Sequence, residues 1–100
     1  MELKVLKQNE ETVLAIEGRI GTITAPELEL ATKPFLQESG ITLAFDCERV
    51  TFISSSGLRI ILMAHKQVTA KSGKFILRNL IPEVRTVIDM TGFSRVINIE

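Results

Sequence analysis

The sequence predicts an α/β domain, in which a pair of antiparallel strands leads into helices that alternate with further strands. Short β-rich runs open the chain, and three later stretches carry apolar residues at helical spacing. Strands that alternate with helices require crossover connections, which place the helices in a layer against the sheet. The length of 100 residues is the usual size of one domain, so we expect a single domain over residues 1–100.

The first two strands are predicted to form a hairpin. The β-rich runs Leu3–Lys7 and Thr12–Glu17 are separated by the polar stretch Gln8–Glu11. The segment Gly18–Gly21 that follows has only two glycines and no Lys-Ser or Lys-Thr pair ahead of a helix, unlike a phosphate-binding loop. We therefore interpret Gly18–Gly21 as a turn.

A first helix is predicted to begin at Thr24–Glu27. This segment offers a capping hydroxyl, a proline at a position that needs no amide partner, and a glutamate three residues after the threonine, which together form a capping box. Pro34 must bend or break the helix before it stops at Ser39–Gly40. We expect an irregular last turn.

The middle of the sheet is predicted at Ile41–Phe45, which is apolar on both alternating faces, as in a strand covered on two sides. A loop is expected at Cys47–Arg49, followed by a strand at Val50–Ile53. The remaining predicted elements are a helix from Leu58 to about Lys71, a strand at Lys74–Arg78, a helix at Pro82–Met90 and a final strand at Val96–Ile99.

Composition argues against several classes of protein. Twelve basic and twelve acidic residues cancel, so nucleic acid is disfavoured as a partner. A single cysteine and a single histidine, Cys47 and His65, exclude a disulfide scaffold and a structural zinc site, and we expect no metal and no cofactor. The longest aliphatic run, Ile60–Ala64, is far shorter than a membrane span, and the first residues lack a signal-peptide core, so we expect a cytoplasmic protein without membrane insertion.

The most informative segment is a run of three serines, Ser54–Ser56, at the junction between a predicted strand and a helix. The first amides of a helix are unpaired and carry partial positive charge, so a serine there can cap the helix when unmodified and hold a phosphate when modified. An ordinary N-cap is the plainer interpretation. Phosphorylation would act chiefly on binding, because a partner packed there would have to desolvate the phosphate.

The helix after the serines is predicted to carry more apolar surface than the core requires. We expect Ile60 and Met63 to point away from the sheet and to form a docking surface. The residues that can face the sheet are Leu58, Ile61, Leu62 and Ala64. The cations Arg59, Lys66 and Lys71 on the same helix fit a weak anion patch or, more commonly, a solvated face.

An enzyme is the least favoured class. Ser55 as a nucleophile would need a base, but the chain lacks Gly-x-Ser-x-Gly, and His65 lies ten residues along the same helix, about 15 Å away. We therefore predict no catalytic residue, interpret His65 as a half-buried helix residue, and interpret Cys47 as a packing residue at the end of a strand.

The segment Asp46–Leu58 resembles the signature of STAS domains, specifically that of bacterial anti-sigma factor antagonists. The resemblance extends over essentially the whole chain, through Gly18–Ile20, Thr22–Glu27 and Met90–Phe93. It implies a STAS-like mixed sheet of four to five strands, with three to four helices packed mainly on one side.

The resemblance also implies a function in transcription regulation by partner switching. The unmodified domain would bind an anti-sigma factor that is also a serine kinase and so release the sigma factor. Phosphorylation at Ser55, with Ser54 and Ser56 as alternates, would break that complex, and a phosphatase would restore it. The implied partner-binding residues are Thr22, Thr24, Ser54, Ser55, Ser56, Gly57, Leu58, Arg59, Ile60 and Met63.

A second interpretation within the same family stays open. The family usually has aspartate where this chain has Gly21 and Ser54. These two departures favour a STAS subunit that is never phosphorylated and that binds, through the same helix, within a lipid-transport or sensory complex.

Overall fold

Five strands form one mixed sheet whose spatial order follows their order in the chain. The computed structural model describes every residue, Met1–Glu100. The strands are β1 (Glu2–Gln8), β2 (Glu11–Ile20), β3 (Thr42–Ile53), β4 (Lys74–Arg78) and β5 (Asn98–Ile99). The helices are α1 (Ala25–Thr32), α2 (Ser55–Ala70) and α3 (Pro82–Thr91), with short 3₁₀ segments at Lys33–Gln37 and Phe93–Arg95. The predicted α/β class and the mixed sheet are confirmed.

The topology places the helices on one face of the sheet. β1 is antiparallel to β2, whereas β2, β3, β4 and β5 are parallel neighbours joined in sequence order by α1, α2 and α3. Successive right-handed crossovers keep all connecting helices on the same side. Residues of all three helices accordingly join one core cluster of 21 buried residues, whereas the opposite face buries a cluster of only three, Val13, Ala44 and Ile76.

The predicted central strand is β3, the third of the five. Its alternate residues Leu43, Phe45 and Cys47 are buried in the main core cluster. The Phe45 ring packs edge-to-face on that of Phe75 in β4, with centroids 4.9 Å apart. Such a pair stabilises the fold by about 0.5–1.5 kcal/mol in addition to the hydrophobic free energy of the area it buries. It joins β3 to β4 within the core.

The expected loop at Cys47–Arg49 is wrong, because β3 runs without interruption to Ile53. Glu48 and Arg49 are both exposed and interrupt the alternation of buried residues, which made this segment look like a loop. The cause is an irregular register between β2 and β3, with shifts at Ala15/Glu17 and at Gly18/Arg19.

The expected turn at Gly18–Gly21 is wrong for the same reason. Gly18, with φ +106°, lies at one of these register shifts, and β2 continues to Ile20.

The ends of two other elements also differ from expectation. The capping box at Thr24 does not form, since the Thr24 hydroxyl instead accepts from Gly21 N–H at 2.8 Å and donates to the Arg19 carbonyl at 2.7 Å. The irregular end of the first helix is confirmed, because the chain with Pro34 continues as a 3₁₀ segment. The last strand is shorter than predicted, because Val96 still belongs to the turn that follows the second 3₁₀ segment.

The close approach of α2 to the strand ends makes Gly57 irreplaceable without a rearrangement. A Cβ atom there would lie 2.7 Å from Ile20 Cγ2 and 2.9 Å from Ile53 Cγ1. We expect Gly57→Ala to lower the free energy of unfolding by about 1–2 kcal/mol, since overpacking costs more than alanine gains over glycine in a helix. Urea denaturation measures this. Gly21→Ala is the control, because a Cβ atom added at Gly21 would have no neighbouring atom within 4 Å; equal stability of the two variants would contradict the packing described.

Candidate protein-binding site

The candidate site lies where β2 and β3 end and where α2 begins. The Ser54 N–H donates to the Ile20 carbonyl at 2.8 Å, and this hydrogen bond holds the ends of β2 and β3 side by side. Beside them the surface forms a hollow of about 540 Å³, called here the strand-end hollow, lined by Arg19, Gly21, Thr22, Ile23, Thr24, Phe52 and Ser54. Segments far apart in the sequence therefore share one surface.

The structure divides the expected roles of the serines between two residues. Ser54 is the N-cap of α2, and its Oγ accepts from Gly57 N–H at 3.2 Å. Ser55 is the first helical residue; it is exposed, and its hydroxyl makes no hydrogen bond within the chain. Ser56 is half-buried. Of the three serines only Ser55 is fully exposed, and only Ser54 uses its hydroxyl in a hydrogen bond within the chain.

The ten residues expected to bind a partner differ in their accessibility. Those exposed are Thr22, Ser55 and Arg59, and those half-buried are Thr24, Ser54, Ser56, Leu58 and Met63. Gly57 and Ile60 are buried. The expectation that Ile60 points outward is wrong, because its side chain, 3% exposed, belongs to the main core cluster.

Ile60 is buried because α2 packs against α1 as well as against the sheet. Ile60 lies beside Glu29 of α1 in a small hollow between the two helices, and Ala25 and Leu28 of α1 share its core cluster. The wide apolar face of α2 thus packs against both α1 and the sheet. A shallow depression of about 320 Å³ remains on the outer face of α2, called here the helix hollow, and it is lined by Arg59, Leu62, Met63, Lys66 and Gln67.

Three surface residues that the sequence analysis did not single out dominate the strand-end hollow. Ile23 is 88% exposed, although it is a large aliphatic residue, and Phe52 is 38% exposed. The Arg19 guanidinium lies over the Phe52 ring, 4.1 Å from its centroid. Exposed apolar side chains beside a fixed cation are typical of a protein-binding surface, where aromatic and arginine residues are enriched.

The ion pairs of the chain lie outside this surface. Arg78 pairs with Glu11 at 3.1 Å and with Glu100 at 2.8 Å, and Arg85 pairs with Asp89 at 2.8 Å. Hydrogen bonds from Arg78 hold the pKa of the Glu11 carboxyl below its usual value. No carboxylate lines the strand-end hollow or the helix hollow.

Cys47 and His65 lie apart from this surface. Burial raises the pKa of the Cys47 thiol to about 12, so at neutral pH it is protonated and unreactive. His65 is half-buried as expected, with its ring centroid 6.4 Å from that of Phe75. Cys47 packs in the core as expected, although within β3 and not at its end.

No three His, Cys, Asp or Glu side chains are grouped closely enough to hold a metal ion. None of the helices is long and apolar enough to cross a membrane.

Comparisons with known proteins cover nearly the whole chain. The family model for the STAS domain matches residues 2–100. An anti-sigma-B factor antagonist of Bacillus subtilis is 32% identical over 95 residues, covering 94% of this chain and 86% of that protein. An anti-sigma factor antagonist from Mycobacterium paratuberculosis has a crystal structure that superposes with a TM-score of 0.88 at 26% identity, covering 98% of this chain and 83% of that one.

The antagonist SpoIIAA has been solved in two forms, both with this fold. Its unphosphorylated form superposes with a TM-score of 0.77 and covers 99% of this chain and 87% of that one. Its phosphorylated form superposes with a TM-score of 0.75 and covers 99% and 91%, both at 20% identity. The fold of this chain is therefore that of SpoIIAA with and without its phosphate.

The different roles of Ser54 and Ser55 lead to a prediction about stability. We expect Ser54→Ala to lower the free energy of unfolding by about 1 kcal/mol, because the cap is lost, whereas Ser54→Asp should keep it, because aspartate caps equally well. Ser55→Ala is the matched control and should stay within about 0.5 kcal/mol of wild type. Thermal or urea unfolding measures all three; a loss at Ser55→Ala as large as at Ser54→Ala would show that the roles are assigned wrongly.

Proposed function

This chain belongs to the STAS domain family, and we propose that it is an anti-sigma factor antagonist that phosphorylation at Ser55 switches off. Unmodified, it binds an anti-sigma factor in the cytoplasm, which releases the sigma factor. The anti-sigma factor is also the serine kinase that modifies Ser55, and a phosphatase reverses the modification. One observation carries the proposal: the Ser55 hydroxyl is exposed and free at the start of α2, next to a surface with apolar residues in the open.

The position of Ser55 suits a switch that changes binding and leaves folding intact. A phosphate adds roughly 1.5 to 2 negative charges, and the start of a helix favours such a charge by about 0.3 to 1 kcal/mol at an exposed site. The cap on α2 is made by Ser54 and so does not depend on Ser55. The modified chain keeps its fold, consistent with the fold that SpoIIAA retains in both of its forms.

The partner contacts both the strand-end hollow and the helix hollow, whose lining residues include sequence neighbours of Ser55. Ser54, which precedes it, lines the strand-end hollow, and Arg59, one helical turn after it, lines the helix hollow. Ile23 and Met63 supply apolar contacts in the two hollows. We expect a partner that covers both hollows to cover Ser55 as well, and a dianion buried there without a matching charge costs far more than the contact returns.

A second candidate function is a constitutive subunit of a lipid-transport or sensory complex. The neutral residues Gly21 and Ser54 favour it, because they leave no acidic side chain in the strand-end hollow next to Ser55. This candidate uses the same surface and no phosphate. The two functions therefore differ in how binding responds to a charge at position 55.

Binding of wild type, Ser55→Asp and Ser55→Ala baits to proteins of the native lysate separates the two candidates. We expect wild type and Ser55→Ala to retain a kinase-like anti-sigma factor, identified by mass spectrometry, and Ser55→Asp to bind it at least ten times more weakly in calorimetry. Ser72→Asp is the matched control, because Ser72 is exposed beyond the other end of α2. Equal retention of one transport or sensory complex by all baits would establish the second candidate instead.

The hypothesis that the chain is a hydrolase is tested by an activity measurement. A hydrolytic activity of the purified chain that Ser55→Ala abolishes would contradict both candidates. We expect no such activity, because the base that Ser55 would need is missing: His65 lies ten residues further along α2, about 15 Å away.

A further inference from the structure

The surface around Ser55 is basic on a chain whose formal net charge is zero. Arg19 lines the strand-end hollow, and Arg59 and Lys66 line the helix hollow. Together the linings of the two hollows contain these three cations and neither aspartate nor glutamate. We call Arg19, Arg59 and Lys66 the basic rim.

None of the rim cations is neutralised within the chain. The ion pairs of the structure use Arg78 and Arg85. Glu29 lines the small hollow between α1 and α2 with Arg59 but makes no ion pair with it. The rim thus presents unpaired positive charge beside exposed apolar residues.

Arg19 is held in place more firmly than an ordinary surface cation. Its guanidinium carbon lies 4.1 Å from the centroid of the Phe52 ring, in a cation–π contact. The Arg19 side chain makes no ion pair within the chain, and its fork of five N–H donors matches the two oxygens of a carboxylate. The guanidinium of Arg19 can therefore bind a bidentate acceptor from another molecule.

We infer that the partner which covers Ser55 presents an acidic surface, with carboxylates that face Arg19, Arg59 and Lys66 and apolar side chains that face Ile23 and Met63. This inference rests on the proposed function, because it concerns the partner of that same site. The partner surface is that of an acidic protein, since apolar residues stand among the cations and the chain as a whole has no positive field to attract nucleic acid.

The basic rim also gives a physical reason for the effect of the phosphate. Ser55 and Arg59 are four residues apart on α2 and both exposed, so their side chains are neighbours, with Cβ atoms about 5–6 Å apart. A phosphate on Ser55 pairs with Arg59 and removes it from the partner. The same phosphate repels the partner's carboxylates, so attraction turns into repulsion at one place.

Charge reversal tests the acidic partner directly. The probe is the purified protein that the wild-type bait retains, and the measured quantity is its dissociation constant at two salt concentrations. We expect Arg19→Glu and Arg59→Glu each to weaken binding at least tenfold, and Arg19→Gln to reduce the salt dependence. Lys74→Glu is the control, because Lys74 is exposed at the opposite end of the sheet, where β4 begins. Rim variants that bind like Lys74→Glu would overturn the inference.

The outcomes separate this inference from the proposed function. If Ser55→Asp loses the partner and the rim variants keep it, control by phosphorylation of Ser55 is supported and the acidic partner surface is overturned. If the rim variants lose it and Ser55→Asp keeps it, the acidic partner stands and the switch does not. Urea unfolding of each variant shows that loss of binding is not loss of fold.

A second measurement needs no partner. Phosphoserine is placed at position 55 by codon reassignment, and the second pKa of the phosphate, ordinarily about 6, is followed by ³¹P NMR. We expect the pKa to rise in Arg59→Gln relative to the chain with Arg59, and to stay unchanged in Lys66→Gln, which lies eleven residues from Ser55. An identical pKa in all three would overturn the pairing of Arg59 with the phosphate.

Discussion

The site depends on one close contact, in which the first turn of α2 rests directly on the ends of β2 and β3. The Ser54 amide bonds to the Ile20 carbonyl at 2.8 Å, and Gly57, which lacks a side chain, lets the helix lie against Ile20 and Ile53. This contact fixes where the helix begins. It therefore fixes that Ser54 turns inward to cap α2 and that Ser55 turns outward to the surface.

In the proposed function, the division between Ser54 and Ser55 separates stability from signalling. The residue that satisfies the backbone of the helix, Ser54, is not the residue proposed to be modified, Ser55. A charge at position 55 then acts on whatever lies outside the molecule, at little cost to the fold. Ile60 and Ile61 of α2 are buried in the main core cluster, whereas position 55 is exposed and lies outside that cluster.

The sequence predicted what local patterns control. The hairpin, the central position of β3 and the bend at Pro34 all follow from residues that lie next to one another in the chain. A helix after the serines was predicted as well, although α2 begins at Ser55 and not at Leu58. The STAS resemblance supplied the number of strands and the side on which the helices pack. The continuity of β3 through Glu48 and Arg49 was missed, because it is fixed by an irregular pairing with β2 that local alternation does not reveal.

The same limit explains what was missed at the site. Ile60 is buried because α1 covers it, and the sequence does not state where α1 lies. Arg19, Ile23 and Phe52 come from a strand, a loop and another strand, and only the parallel pairing of β2 with β3 brings them together. One signal was present: Phe52 alternates with the buried Ile53, so an aromatic ring was due to face away from the helices beside the serines.

In the proposed function, phosphate on Ser55 changes binding without changing the stability of the fold. The most direct measurement compares the chain with phosphoserine at position 55 and the unmodified chain, determining for each the free energy of unfolding in urea and the dissociation constant for the retained partner. We expect unfolding free energies within about 1 kcal/mol of each other and a dissociation constant at least a hundredfold larger for the phosphorylated chain. A phosphorylated chain that binds equally well, or that loses binding only because it unfolds, would contradict the claim.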